Sequence, residues 1–182
     1  HNTRLAVPAL VVTETLHGLL VPGATIFPQA IALASTWNPD LACLRGEVLG
    51  EEARFRGKDI LLGPGVNIIR SPLCGRNFEY MSEDPYLTAQ MTTAYIRGLQ
   101  SRDVAACVKH YLANNQETDR LRVSADIDPR PLREIYLRGF ERVVKDTQPW
   151  TVMCSYNRLN GVYTSEDPWL LTKVLRDEWG FE

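Results

Sequence analysis

An α/β fold, with parallel strands alternating with helices, follows from three features of the sequence. Short apolar runs recur that are too brief for helices and lack polar–apolar alternation, the pattern of strands buried on both faces. Amphipathic helical stretches separate them. Asn-Pro or Asp-Pro pairs mark the helix starts, and Pro39, Pro85, Pro129 and Pro168 fall 46, 44 and 39 residues apart. That is one strand–helix unit used four times.

Each element has its own signal. Pro8 to Val12 is the first apolar, β-rich run, and Asn38-Pro39 supplies an N-cap and a first-turn proline for the first helix. Ile60 to Leu62 reads as the second strand, and Asp84-Pro85 opens the next helix, with Leu87, Met91, Ala94 and Tyr95 on one face. Val104 to Val108 is the third strand. Asp128-Pro129 starts a helix whose Leu132, Ile135, Tyr136, Gly139, Phe140, Val143 and Val144 share a buried stripe. Thr151 to Cys154 is the fourth strand, and Asp167-Pro168 begins a helix that Gly180 caps.

The strand-to-helix loops, Gly63 to Glu83, Tyr111 to Ile127 and Asn157 to Glu166, are long; about 2–6 residues is usual there. Long loops at the carboxyl ends of parallel strands are where α/β enzymes place their sites. No G-x-G-x-x-G or Walker sequence supports a nucleotide-binding doubly wound sheet. The better reading is an incomplete (β/α)8 TIM-type barrel, since a full one needs about 250 residues and the chain has 182. Residues 1–182 are expected to form a single partial domain, with further strands and a second domain lying outside them. Glu182, after Trp179-Gly180-Phe181, stands where a new strand is expected to begin.

Composition narrows the function. Twenty Lys and Arg face 22 Asp and Glu, for a net charge of −2, which provides no general field for nucleic acid or an anionic membrane. At 23% charged and 45% hydrophobic residues, the chain is globular rather than disordered. No apolar run reaches the length of a membrane span, and His1-Asn2-Thr3-Arg4 opens no signal peptide. Cys43, Cys74, Cys107 and Cys154 form no C-x-x-C pair, and His1, His17 and His110 are not at ligand spacing. No metal site and no cofactor is expected.

Four segments carry candidate chemistry. In residues 107–120 (CVKHYLANNQETDR), Lys109 and His110 end an apolar strand before a polar loop; they suit either a solvated strand end or a site. In residues 63–85, Arg76 follows Gly75 and fits a loop-pinning arginine as well as a ligand-binding one. Arg70, Glu79 and Glu83 lie in the same loop, and Asp84 is explained as a helix cap. In residues 152–168 (VMCSYNRLNGVYTSEDP), Met153 suits core packing, and Tyr156 could pack, hydrogen-bond a sugar hydroxyl or orient a carboxylate. In residues 13–18 (TETLHG), Glu14 could accept hydrogen bonds from ligand hydroxyls or face water.

Taken together and in this order, these segments, with ATIFPQAIALASTWNPDL (24–41) and the stretch to TKVLRDEWGFE, resemble the N-terminal barrel domain of glycoside hydrolase family 3 across nearly the whole chain. The resemblance implies that Arg76, Lys109 and His110 bind hydroxyls of the sugar in the first subsite. It aligns the family's first barrel carboxylate, usually Asp, with Glu14. Tyr156 matches the tyrosine beside the nucleophile, and Met153 a wall of the subsite. The family's nucleophile is an Asp on the strand after the Gly-Phe seen at 180–181, which puts it just after Glu182, and its acid/base is a Glu in a later domain. No catalytic residue is therefore expected within these residues, and the chain alone is expected to be inactive. Glu166, Asp167 and Asp177 are explained by capping and exposure.

The loop after Lys109-His110 lacks the second His of the branch that cleaves N-acetylglucosaminides. That points to the β-glucosidase/β-xylosidase branch. ETLHG also occurs among xylosidase-like members, but the loop NIIRSPLCGRNFEYMSEDP resembles β-glucosidases more. The resemblance thus implies an exo-acting β-glucosidase of the retaining, double-displacement type, with a small-molecule or oligosaccharide β-glycoside as its partner. A β-xylosidase or other exo-β-glycosidase, a different sugar- or phosphate-binding barrel enzyme, and a noncatalytic carbohydrate-binding remnant are the alternatives. Adjacent residues of a regular strand face opposite ways, so a single sugar reached by both Lys109 and His110 requires a bulge or a cis peptide near residues 109–111.

Overall fold

The computed structural model describes residues 4–182; the reading of the opening His1-Asn2-Thr3 lies outside the described residues. Four parallel strands, β1 (Val12–Glu14), β2 (Ile60–Leu62), β3 (Ala105–Tyr111) and β5 (Thr151–Cys154), form one open sheet in the order β1-β2-β3-β5. Helices α1 (Ala30–Ala34), α2 (Pro39–Phe55), α3 (Pro85–Gln100), α4 (Pro129–Pro131) and α5 (Arg138–Thr147), followed by a last helix at Trp169–Glu178, alternate with the strands. The sheet is an arc of a (β/α)8 barrel rather than a closed one. A small second sheet, β4 (Ser124–Ala125), β6 (Arg158–Leu159) and β7 (Val162–Tyr163), ties the loop after β3 to the loop after β5.

The first strand departs from expectation. The run Pro8 to Val12 does not form a strand buried on both faces: β1 starts at Val12, and Leu10 is 69% exposed. β1 pairs with β2, which is three residues long, in the register Val12↔Ile60 to Glu14↔Leu62; ahead of it only Val11 is held, its carbonyl accepting from Asp59 N and Ile60 N and its N–H donating to the Asp59 carboxylate. β3, by contrast, runs to Tyr111 and is buried throughout. At the other end, Glu182 is exposed and follows the last helix.

Three of the four Asn/Asp-Pro signals are side-chain caps. Asn38 accepts from Asp40 N and Leu41 N, Asp84 from Tyr86 N and Leu87 N, and Asp167 from Trp169 N and Leu170 N. Asp128 does not cap with its side chain, because Pro131 removes one of the two N–H groups such a cap uses. Asp167→Ala is expected to lower unfolding free energy by about 1 kcal/mol. Asp128→Ala should leave it within about 0.5 kcal/mol. Urea denaturation midpoints compare the two.

The helix face after Pro129 is also shifted. Residues Leu132–Tyr136 are π-wound, with Leu137 N bonded to Leu132 O. The wider turn slips the α-helical phase by one residue, so Ile135 is 38% exposed and Leu137, at 1%, takes its place in the core. The remaining expected positions, Leu132, Tyr136, Gly139, Phe140, Val143 and Val144, are buried. Gly180 has φ +73° and donates to Arg176 O, closing the last helix. The four cysteines are free. Among the described residues no group of His, Cys, Asp and Glu is arranged to hold a metal, and no helix is long and apolar enough to cross a membrane.

Candidate functional site

The carboxyl ends of β1, β2 and β3 bring three distant segments together. Glu14 ends β1. The chain leaving β2 runs on beside β3, with Val66 N bonded to Lys109 O at 2.7 Å, before folding into a short 3-10 turn at Asn77–Glu79. β3 delivers Lys109 and His110. Its end is irregular: the Lys109–His110 and Tyr111–Leu112 peptide bonds are cis, and the register with β5 shifts between Val108 and Tyr111. The side chains of Lys109 and His110 both reach the same turn, Lys109 at Glu79 and His110 at Tyr80.

Charges alternate through this cluster. Arg76 Nε donates to Glu79 Oε1. Lys109 Nζ lies 2.9 Å from Glu14 Oε2 and 3.5 Å from Glu79 Oε2. Lys109 is 1% exposed and Glu79 3%; ions so placed persist only when paired. Burial opposes the Arg76 charge, but the hydrogen bond and charge of Glu79 outweigh it and raise the Arg76 pKa above the ordinary arginine value.

His110 is held by neutral groups. Asn67 Oδ1 accepts from His110 N at 2.7 Å, and Asn67 Nδ2 donates to His110 O at 2.8 Å. The ring Nδ1 sits 3.1 Å from the Tyr80 hydroxyl. That hydroxyl accepts from Asn114 Nδ2, which also donates to Glu117; Glu117 pairs with Arg120, whose guanidinium lies 5.2 Å from the Tyr156 ring centre. Burial first, then the positive charges of Arg76, Lys109 and Arg120, push the His110 pKa down to about 2. The ring is therefore neutral at working pH.

Of the residues expected from sequence, Glu14, Arg76, Lys109 and His110 form one connected cluster. Tyr156, 57% exposed, joins it only through Arg120. Met153 is half-buried in β5 and takes no part in the hydrogen-bonded network. Glu182 is exposed, follows the last helix, and takes no part in the ion pairs of the cluster; the aspartate expected just after it lies outside the described residues. Glu79, Tyr80, Asn67, Asn114, Glu117 and Arg120 join the cluster without having been expected there from sequence. The i,i+3 spacings of Arg76 with Glu79 and of Glu117 with Arg120 are the available signals.

The His110 shift has a consequence for stability. The unfolded histidine binds a proton near pH 6.5, the folded one only near 2. Between those values the unfolded state holds more protons, so the neutral ring's contribution is complete above pH 6.5 and falls as pH drops. The slope is at most about 1.4 kcal/mol per pH unit. Urea-unfolding free energies from pH 7 to 4 should fall more steeply for the wild type than for His110→Asn; parallel curves would contradict a buried neutral histidine.

Comparison with known proteins gives this cluster a lineage. The whole chain, residues 1–182, matches the description "Glycosyl hydrolase family 3 N terminal domain". It is 51% identical over 191 residues to the exo-alpha-(1->6)-L-arabinopyranosidase of Bifidobacterium longum, covering 97% of this chain and 25% of that protein. It is 50% identical to thermostable beta-glucosidase B of Acetivibrio thermocellus, over 97% of this chain and 25% of the relative. Its fold superimposes with a TM-score of 0.95 on beta-glucosidase 3B of Thermotoga neapolitana in complex with glucose, at 51% identity, covering 98% of this chain and 26% of that one. The chain thus spans about a quarter of the length of these relatives. With sequence and fold in agreement over its length, the chain belongs to glycosyl hydrolase family 3, through the N-terminal domain of that family.

Proposed function

We propose that the chain is the sugar-binding part of a β-glucosidase that removes terminal, non-reducing β-D-glucosyl residues with retention. In this reading Glu14, Arg76, Lys109 and His110 hold hydroxyls of the first sugar, and Met153 and Tyr156 form its walls. The observation that carries it is the charge-neutral alternation Arg76–Glu79–Lys109–Glu14 beside a neutral histidine. Two cations matched by two carboxylates leave donors on Arg76 and Lys109 and an exposed acceptor on Glu14, without net charge. That suits vicinal hydroxyls, each of which donates and accepts, and disfavours a phosphate, which would meet two carboxylates. The β-glucosidase relatives, one of them in complex with glucose, support the same substrate class.

Retention needs a nucleophile and an acid/base about 5–5.5 Å apart. This reading takes both from outside residues 1–182, the nucleophile from just beyond Glu182, and the present residues act by binding. Contacts that tighten as the ring flattens toward an oxocarbenium ion raise kcat. The arabinopyranosidase relative favours a second reading, a pyranosidase acting on a sugar without the exocyclic hydroxymethyl group.

The test is a panel of p-nitrophenyl β-D-glucoside, β-D-xyloside and α-L-arabinopyranoside offered to the complete gene product, with the first-formed anomer read by NMR. Highest kcat/KM on the glucoside with β-glucose formed first is expected; preference for the arabinopyranoside supports the second reading, and inversion overturns the mechanism. The 182-residue chain alone should turn over none of the three.

A further inference from the structure

We propose that Glu79 is the positioning residue of this site, fixing both cations against the sugar; the inference rests on the sugar-binding reading above. Glu79 is the one carboxylate in the cluster that touches both. Its Oε1 accepts from Arg76 Nε and its Oε2 lies 3.5 Å from Lys109 Nζ. Glu14 reaches Lys109 only, and its side chain is 40% exposed where that of Glu79 is 3% exposed.

Its geometry limits what Glu79 can do. Being buried and engaged by two cations, it is a poor partner for a sugar and a good anchor. By occupying Arg76 Nε it leaves the terminal guanidinium nitrogens free to donate, and it orients the Lys109 ammonium, whose three donors exceed the two carboxylates beside it. The anchor is itself held: Glu79 N donates to Arg76 O across the 3-10 turn. Below it, a cavity of about 20 Å³ lined by Thr15, Arg45, Glu79 and Lys109 has room for about one water. Arg45 Nε and Glu79 Oε2 are buried polar atoms there that lack a protein hydrogen bond.

The test uses the complete gene product. Glu79→Gln keeps the shape and removes the charge, and should lower kcat/KM on the aryl β-glucoside on the order of 10²-fold. A residue acting through Arg76 must also couple to it. The double variant Arg76→Met/Glu79→Gln is expected to lose clearly less than the product of the two single losses. Multiplying losses, or a Glu79→Gln enzyme within threefold of wild type, would overturn the role. Should Glu79→Gln fail to fold, Glu79→Asp keeps the charge on a shorter arm and is read the same way, by its loss of kcat/KM and its coupling to Arg76→Met. Absence of turnover by the wild type overturns the functional reading together with this one, whereas full activity in the variants overturns the role of Glu79 alone.

Discussion

Lys109→Ala in the complete gene product is expected to reduce kcat/KM for an aryl β-glucoside by about 3 kcal/mol, on the order of 10²-fold. Two losses combine. In the proposed role of Lys109 a charged donor to the sugar disappears, and such hydrogen bonds contribute about 1.5–3 kcal/mol. Glu79, 3% exposed, is left with Arg76 as its only close cation. Lys109→Arg should not rescue, since a planar guanidinium on a longer arm replaces a compact ammonium at a position 1% exposed and set between two carboxylates. Asp167→Ala, whose carboxylate caps a helix, should keep kcat/KM near wild type. If Asp167→Ala abolished activity while Lys109→Ala left it intact, the site would be elsewhere.

Gly98→Ala is expected to be strongly destabilising. α2 and α3 pack with backbone against backbone: a Cβ at Gly98 would lie 2.0 Å from Cys43 O, and one at Gly46 would lie 2.2 Å from Tyr95 O. Neither neighbour is a side chain that can swing aside, so the helices must separate. Overpacking of this kind costs about 1–3 kcal/mol, occasionally more, and outweighs the gain of about 1 kcal/mol from replacing glycine inside a helix. Gly75→Ala, where nothing lies within 4 Å, serves as the control and should change stability by less than about 0.5 kcal/mol. Equal urea midpoints for Gly98→Ala and Gly75→Ala would contradict the close helix approach.

Much of this architecture was legible in the sequence because its signals are local. Ile60–Leu62 and Thr151–Cys154 are strands as read, since short β-rich runs between helix signals have few other fates. Asn38, Asp84 and Asp167 announce helices because capping involves only the next three residues. The misses are non-local. The length of β1 is set by its partner β2, not by the apolar run before it. Ile135 faces out because a π-turn, invisible to α-helical periodicity, intervenes. The two-residue strands β4, β6 and β7 are too short to leave a pattern.

The site divides the same way. Lys109 and His110 stand out at a strand end, and Arg76 stands out beside a glycine. Glu79 does not, because a loop carboxylate reads as solvated until two cations from other segments are seen to enclose it. Asn67 and Tyr80 likewise gain meaning only when β3 brings His110 to them.

Recognition of sugar hydroxyls by a charge-neutral cluster at the strand ends is the central proposal. Isothermal titration of the complete gene product, first with glucose and then with inorganic phosphate, tests it most directly. Saturable binding of glucose, lost in Lys109→Ala, and no binding of phosphate are expected. Phosphate binding that Lys109→Ala abolishes, with no heat from glucose, would contradict it.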